Sequence, residues 1–491
     1  MEGSMEEKIH CRLPCAQNIT VAGTPQRSRK GKIVAFILAF MTLVYISRLH
    51  GFPWPTLNGD HARHHKNLIP GQHSNHFFSS TQHSEKCSGE PTLQDPTCDY
   101  TDSVMNIATE FNVTDEFHFI DSSPVQDARG VILVQRGSST QVSDIEINIS
   151  LAYASPILPD VSYGFASADT MQLFYKSTEC VQVNIEISLR PDLGKGVRDF
   201  SVTTNMLLLR ISSRLSWTVG NLNIHSAHGD TEFMGEFDLE PMITHNVSAS
   251  SVTGEIWGWF VADAHLHLRN DAGKIDVLLI PRFDSDVPIA LQSITVSSVS
   301  GLIDFKMWME QPGTWPMEPF THTTQIRSET GNIYGSVPLG ALTNFTSETG
   351  NIAAIMVPFG AASEDASKDI RTESNQGNVY VHVVNTIWES LKNGRFDPLV
   401  SLRSRHKVNN GTLAIIYPSG WRGELEGLVS KGTLKFDGSR LKDVKKGDNW
   451  VKATSGEGMS FMESWVNEGE LDIKVGLSSW VHESLSLHTH G

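Results

Sequence analysis

The sequence predicts an all-β protein: an N-terminal β-sheet or sandwich leading into a β-solenoid of stacked rungs, after one transmembrane helix and a stalk. The phrase Ser328-Glu329-Thr330-Gly331-Asn332-Ile333 recurs as Ser347-Glu348-Thr349-Gly350-Asn351-Ile352. Aliphatic residues follow each such glycine at alternate positions, the period of a strand with one buried face. Between residues 111 and 480 no amphipathic helix of useful length is legible.

Residues 1–32 form a polar tail without periodicity, expected to be cytosolic and disordered. The uncharged run Ile33–Ser47 follows the basic stretch Arg27–Lys32. About fifteen helical residues span roughly 22 Å, short of a ~30 Å hydrocarbon core, but Lys32 and Arg48 can extend the reach by snorkelling. The cationic N-terminal flank predicts a cytosolic N-terminus, hence a single-pass type II signal-anchor. A cleaved signal peptide and a buried apolar segment are the competing readings. Residues 48–110, rich in His, Pro, Gly and Ser, read as a stalk.

An exported C-terminal part is consistent with N-x-S/T sequons at Asn112, Asn148, Asn246, Asn344 and Asn410. In an oxidising compartment Cys87 and Cys98 can close a small disulfide loop, while Cys11 and Cys15 face the cytosol. Cys180 reads as a buried strand thiol. The 39% hydrophobic content is that of a globular chain, and the net charge of −16 argues against a nucleic-acid partner.

Residues 111–245 show short β-branched and aromatic runs punctuated by Gly and Pro, a β-sheet domain. In residues 246–480 the turn glycines Gly254, Gly273, Gly301, Gly331, Gly350, Gly377, Gly411, Gly432 and Gly469 each precede an aliphatic residue by two places. Glycine there is expected to supply the positive φ of a tight turn. One rung cannot bury its own face, whereas a stack can. A sandwich whose turns contain glycine is the alternative. Residues 481–491 are a tail.

These phrases, together with Ser251–Ile256 and Ser298–Ile303, resemble the rungs of fungal single-pass membrane proteins of unknown function with an adhesin-like β-solenoid ectodomain. The resemblance covers roughly residues 115–476. It implies a surface or secretory-pathway domain and no chemistry. Gly458 departs from the pattern, because Ser460 and Ser464 stand where apolar residues belong, so 451–465 is expected to be a loop or an edge.

No catalytic, cofactor or metal motif is predicted. If the two phrases stack in register, Asn332, Asn351 and Asn378 form an amide ladder. Trp257 falls on the outward register and is the candidate ligand surface; Trp259, Trp308 and Trp315 are lesser candidates. The function expected is non-catalytic, adhesin-like binding of glycan or protein through loops between rungs. The rival reading is a carbohydrate-active enzyme, with Asp284, Asp286 or the His228-Gly229-Asp230 turn as candidate acids. A structural ectodomain is the third.

Overall fold

The computed structural model describes residues 104–477 except 125–127, 154–159, 177–180, 192, 213–214, 216, 235–242, 262, 281–290, 308–318, 362, 364–365, 388–394 and 440. The predicted tails, the run 33–47, most of the stalk, all five cysteines, Asp284, Asp286, Trp308 and Trp315 lie outside those residues. Among the described residues, no helix is long and apolar enough to cross a membrane. They form strands, turns and a short 3-10 segment at Pro398–Val400.

The strands build two parallel ladders. Each rung supplies a leading strand, a turn and a trailing strand. In order these are Val197–Thr204 with Leu208–Ser212, Thr218–Ser226 with Thr231–Met234, and Ile243–Ser251 with Ile256–Phe260. His265–Asn270 with Ile275–Leu279, Ser293–Ser298 with Ile303–Met307, and Thr323–Ser328 with Ile333–Pro338 continue the stack. Leu342–Ser347 with Ile352–Val357 and Lys368–Gln376 with Val379–Val383 come next. Leading strands pair with leading strands and trailing with trailing, always parallel and in register. Only two-residue alternation on both strands allows this, since a one-residue slip would turn every inward aliphatic to solvent.

The stack starts earlier than the boundary at 245/246 expected from sequence. Thr218–Ser226 pairs in parallel with Val197–Thr204 on one side and Ile243–Ser251 on the other. The Ser226-Ala227-His228-Gly229 turn already carries the phrase there, and the rung before it, where Thr204 and Leu207 take those places, is visible only in backbone pairing. One strand overlaps the expected stalk: Val104–Phe111 is antiparallel to Ile145–Tyr153.

Both ends of the stack depart from chain order. Below Val197–Thr204 and Leu208–Ser212 lie Glu116–Asp121 and Ala128–Arg136, and below those Thr170–Lys176 and Val181–Leu189, all parallel. Antiparallel strands Ile145–Tyr153 and Asp160–Ser167 then close the two ladders. At the other end Leu402–Pro418, Gly423–Gly438 and Ser460–Leu477 each run through both ladders. The last of them inserts between the first two. Thus 451–465 is not a loop: Trp450–Ser455 is an antiparallel strand and Ser460 and Ser464 point inward. Ser460 is tolerated because its hydroxyl donates to Leu399 O at 3.0 Å and accepts from Leu402 N at 2.7 Å. Capping matters because a bare parallel edge would template pairing with another chain.

The repeated phrase has a physical reading at each position. Ser298, Ser328 and Ser347 are buried, and each hydroxyl accepts from the N–H of Gly301, Gly331 or Gly350 at 2.8 Å. Asn270 does the same for Gly273 at 2.7 Å. The positive φ expected of the glycines holds at Gly377, Gly411, Gly432 and Gly469, with Gly411 at 142°. At Gly254, Gly273, Gly301, Gly331 and Gly350 the reason is close approach instead. A Cβ on any of these would lie 1.8–2.2 Å from the carbonyl oxygen of the glycine one rung earlier. After Ser374 the serine column becomes Val408, Val466 and Val429, and there the chain bends through its glycine as a continuous strand.

Between the ladders lies the core, with columns such as Ile256, Ile275, Ile303, Ile333, Ile352 and Val379 almost fully buried. Each such side chain contributes ~1.5–3 kcal/mol of burial against the entropy of ordering its rung. The later rungs also bury polar groups. His406 is held between Thr372 Oγ1 at 2.9 Å and Tyr417 OH at 3.2 Å. Lys368 Nζ donates to Phe320 O at 2.9 Å and Leu339 O at 2.8 Å. His322, beside Lys368, has no hydrogen-bond partner at either ring nitrogen among the described residues.

Candidate binding surface

The outward positions of the two ladders differ in chemistry. Those three places after successive turn glycines form one row on the trailing face: Trp257, Asp276, Asp304, Tyr334, Ala353 and Tyr380. Trp257, Tyr334 and Tyr380 are exposed at 38%, 46% and 39%, unusual values for rings on a parallel sheet. With rungs ~4.8 Å apart, Trp257 and Tyr334 stand roughly 14 Å apart, and Tyr334 and Tyr380 roughly 10 Å. A second row beside it, Trp259, Leu278, Lys306, Ser336, Ile355 and His382, mixes apolar and polar side chains and ends on a buried His382. The sequence-based expectation for Trp257 therefore holds in orientation, and the row extends it to positions not singled out from sequence. The signal was present, at the third place after each glycine.

Asp276 and Asp304 are cross-rung partners between Trp257 and Tyr334. Lys274 pairs with Asp276, and Lys306 Nζ reaches Asp304 Oδ2 at 3.1 Å. Burial raises Asp304 above the usual carboxylate range; Lys306 opposes the rise and Asp276 adds to it. Among the described residues, its Oδ1 is buried without a hydrogen-bond partner. The face thus combines exposed rings with two half-buried carboxylates held in ion pairs by Lys274 and Lys306.

The leading face is polar. Gln325, Arg327, Asn344, Thr346, Glu348, Glu373, Asn375 and Asn409 line a groove of about 660 Å³. Two of its walls are braced: Asn409 Nδ2 donates to Asn375 Oδ1 at 2.6 Å, and Lys407 pairs with Glu373 at 2.8 Å.

The sequon residues fall in different settings. Asn112 Oδ1 accepts from Asp144 N at 3.2 Å, and Asn148 is exposed on an antiparallel strand. Asn246 Nδ2 donates to Asn221 Oδ1 at 2.7 Å. Asn344 lines the groove, and Asn410 is exposed on the strand Leu402–Pro418, beside Gly411. The amide ladder forms as expected: Asn332 Oδ1 accepts from Asn351 N at 2.9 Å, and Asn351 Oδ1 from Asn378 N at 2.8 Å. It continues to Thr412 N, which donates to Asn378 Oδ1 at 3.0 Å. His228 and Asp230 serve the same stacking, through Thr253 Oγ1 at 2.9 Å and Glu255 N at 2.8 Å. Among the described residues, no group of three or more His, Cys, Asp or Glu converges as a metal site would.

The class defined is a parallel two-ladder β stack with one aromatic and one polar outer face. No family model and no curated protein matches the chain. Two solved structures are similar to it. One, from Clostridium sporogenes and described as a "putative cell adhesion protein", is 9% identical, with a TM-score of 0.14 over 76% of this chain and 100% of that one. The other, a "putative adhesin" from Parabacteroides merdae, is 10% identical, with a TM-score of 0.19 over 58% of this chain and 95% of that one.

Proposed function

We propose that this chain is a membrane-anchored, extracytoplasmic, adhesin-like recognition protein that binds without catalysis. The ligand best suited to the trailing face is a glycan chain. The observation that carries this reading is the exposed row Trp257, Tyr334 and Tyr380, with carboxylates between the first two. Ring faces stack on the apolar faces of sugars, and carboxyl oxygens accept from sugar hydroxyls. A protein ligand would use the same rings as anchors.

Glycan-array binding by the full chain tests it. Trp257→Ala is expected to lower affinity ~10-fold or more, the usual scale for losing a stacked aromatic anchor, with an unchanged circular dichroism spectrum. Unaltered binding to every array glycan would remove the proposal. Asp276 and Asp304 favour a second reading, hydrolysis of a polysaccharide, because a raised carboxyl beside a second carboxylate suits acid catalysis. Under that reading Asp304→Asn abolishes turnover while binding persists; under the first, no turnover is found in either protein.

Anchoring rests on the uncharged run 33–47 with its basic flank, and the compartment on that run and the sequons. Protease treatment of sealed microsomes is expected to leave the region from Val104 onward intact until detergent is added. Digestion without detergent would place that region in the cytosol.

A further inference from the structure

We propose that the groove on the leading face seats the chain's own N-linked glycan, carried by Asn344. The inference rests on the extracytoplasmic reading above and adds which sequon is built to hold its sugar. Asn344 and Thr346 lie two apart on one strand, so both parts of the sequon face outward into the groove. Gln325 lies one rung before Asn344, and Glu373 lies one rung after Thr346. These neighbours offer an amide and a carboxylate to the hydroxyl and acetamido groups of an N-acetylhexosamine.

The other sequons lack this arrangement. The Asn246 amide nitrogen is already committed to Asn221, and Asn112 is tied to the backbone of Asp144. Asn148 and Asn410 are exposed. Among the described residues, by contrast, the Asn344 side-chain amide hydrogen-bonds to nothing and Arg327 pairs with no carboxylate. The groove's size falls within the ~300–1,000 Å³ of small-ligand sites. The outer face of a parallel sheet is ordinarily covered, and here the protein's own modification covers it.

The modification balances simply. A glycosyl diphosphate donor transfers its sugar so that Asn344 Nδ2 bonds to the anomeric carbon. The bond from that carbon to the diphosphate oxygen breaks, one Nδ2 proton is released, and nothing is oxidised. Sugar attached there leaves Trp257, Tyr334 and Tyr380 uncovered, because they project from the other ladder.

The test uses the full chain secreted or retained by a eukaryotic cell, with site-resolved glycopeptide mass spectrometry. Native protein is digested with peptide-N-glycosidase over time. The expected result is an occupied Asn344 whose glycan is released ~10-fold more slowly than that of Asn148 or Asn410, as two or three sugar hydrogen bonds would produce. After denaturation the rates become equal. Changing groove residues outside the sequon, Glu348→Ala with Asn375→Ala, is expected to speed release at Asn344 without altering occupancy. An unmodified Asn344 beside other occupied sequons overturns the proposal alone, as does equal release from the native protein. No modification at any sequon overturns it together with the extracytoplasmic reading.

Discussion

Gly350→Ala is expected to destabilise the stack by about 3 kcal/mol or more, among the larger effects of single substitutions. The added Cβ would sit 2.0 Å from Gly331 O and 2.9 Å from Ser347 Oγ. The first obstacle is backbone, so relief requires two rungs to separate. Separation strains the parallel hydrogen bonds of Ile333–Pro338 with Ile352–Val357 and the Asn332–Asn351 amide contact. Gly350 has no positive φ, so Asn, the usual substitute in left-handed turns, fares no better than Ala. Gly164→Ala is the control: nothing lies within 4 Å of its Cβ, and stability should stay within ~0.5 kcal/mol. Urea unfolding with hydrogen exchange of the neighbouring rungs reads both. Equal midpoints for Gly350→Ala and Gly164→Ala would show that the rungs are not stacked as described. Ser347→Ala provides an intermediate, because it leaves the Gly350 N–H unsatisfied at a cost of about 1–3 kcal/mol.

Acid sensitivity is the second large effect. Burial holds His322 and His406 down to about 3, with the Lys368 charge adding to the burial at His322. Both imidazoles are therefore neutral in the folded chain and ordinary in the unfolded one. The unfolded state binds more protons between pH 6.5 and about 3, so stability is complete above 6.5 and lost as pH falls through that window. Each group accounts for on the order of 5 kcal/mol across the whole interval. His322→Leu is expected to cost little or nothing at pH 7.5, since among the described residues neither ring nitrogen has a partner to lose, and to flatten the acid limb of the stability curve. His406→Leu removes the same titration but strands Thr372 and Tyr417, so it destabilises at neutral pH as well. A curve for His322→Leu with the same acid slope as the parent would place the acid-sensitive groups elsewhere.

Lys368 acts on the alkaline side. Burial lowers it to about 8, so the unfolded chain binds more protons between about 8 and 10.5, and stability rises with pH through that interval. At neutral pH the charged ammonium is retained by the carbonyls of Phe320 and Leu339.

Much of the stack was legible because its signals are local. The aliphatic at the second place after each glycine is read without knowing its neighbour, and Ile275, Ile303, Ile333 and Ile352 are all buried as that rule requires. The Asn332–Asn351–Asn378 ladder followed from assuming equal register. The outward row is equally local, yet beyond Trp257 it is masked, because aspartate and tyrosine three places after a glycine read as ordinary surface. Long-range effects were hidden. The insertion of Ser460–Leu477 between Leu402–Pro418 and Gly423–Gly438 leaves no mark on spacing. Nor does the continuation of the ladders below Thr218, where Thr204 holds the column before the first Ser-x-x-Gly phrase at Ser226–Gly229.

By itself, the amino-acid order determined the strand period, the serine-to-glycine turn and which side of each strand is apolar, because those depend on residues a few bonds apart. Only the folded stack decided why the mid-stack glycines are glycines, which rung neighbours which at the two ends, and that Asn344 opens into a groove. Each of these depends on the distance between chain segments brought together by pairing. A carbonyl oxygen 1.9 Å from the Cβ that Gly331 lacks is a property of two rungs, and one rung's sequence carries no trace of the other's position.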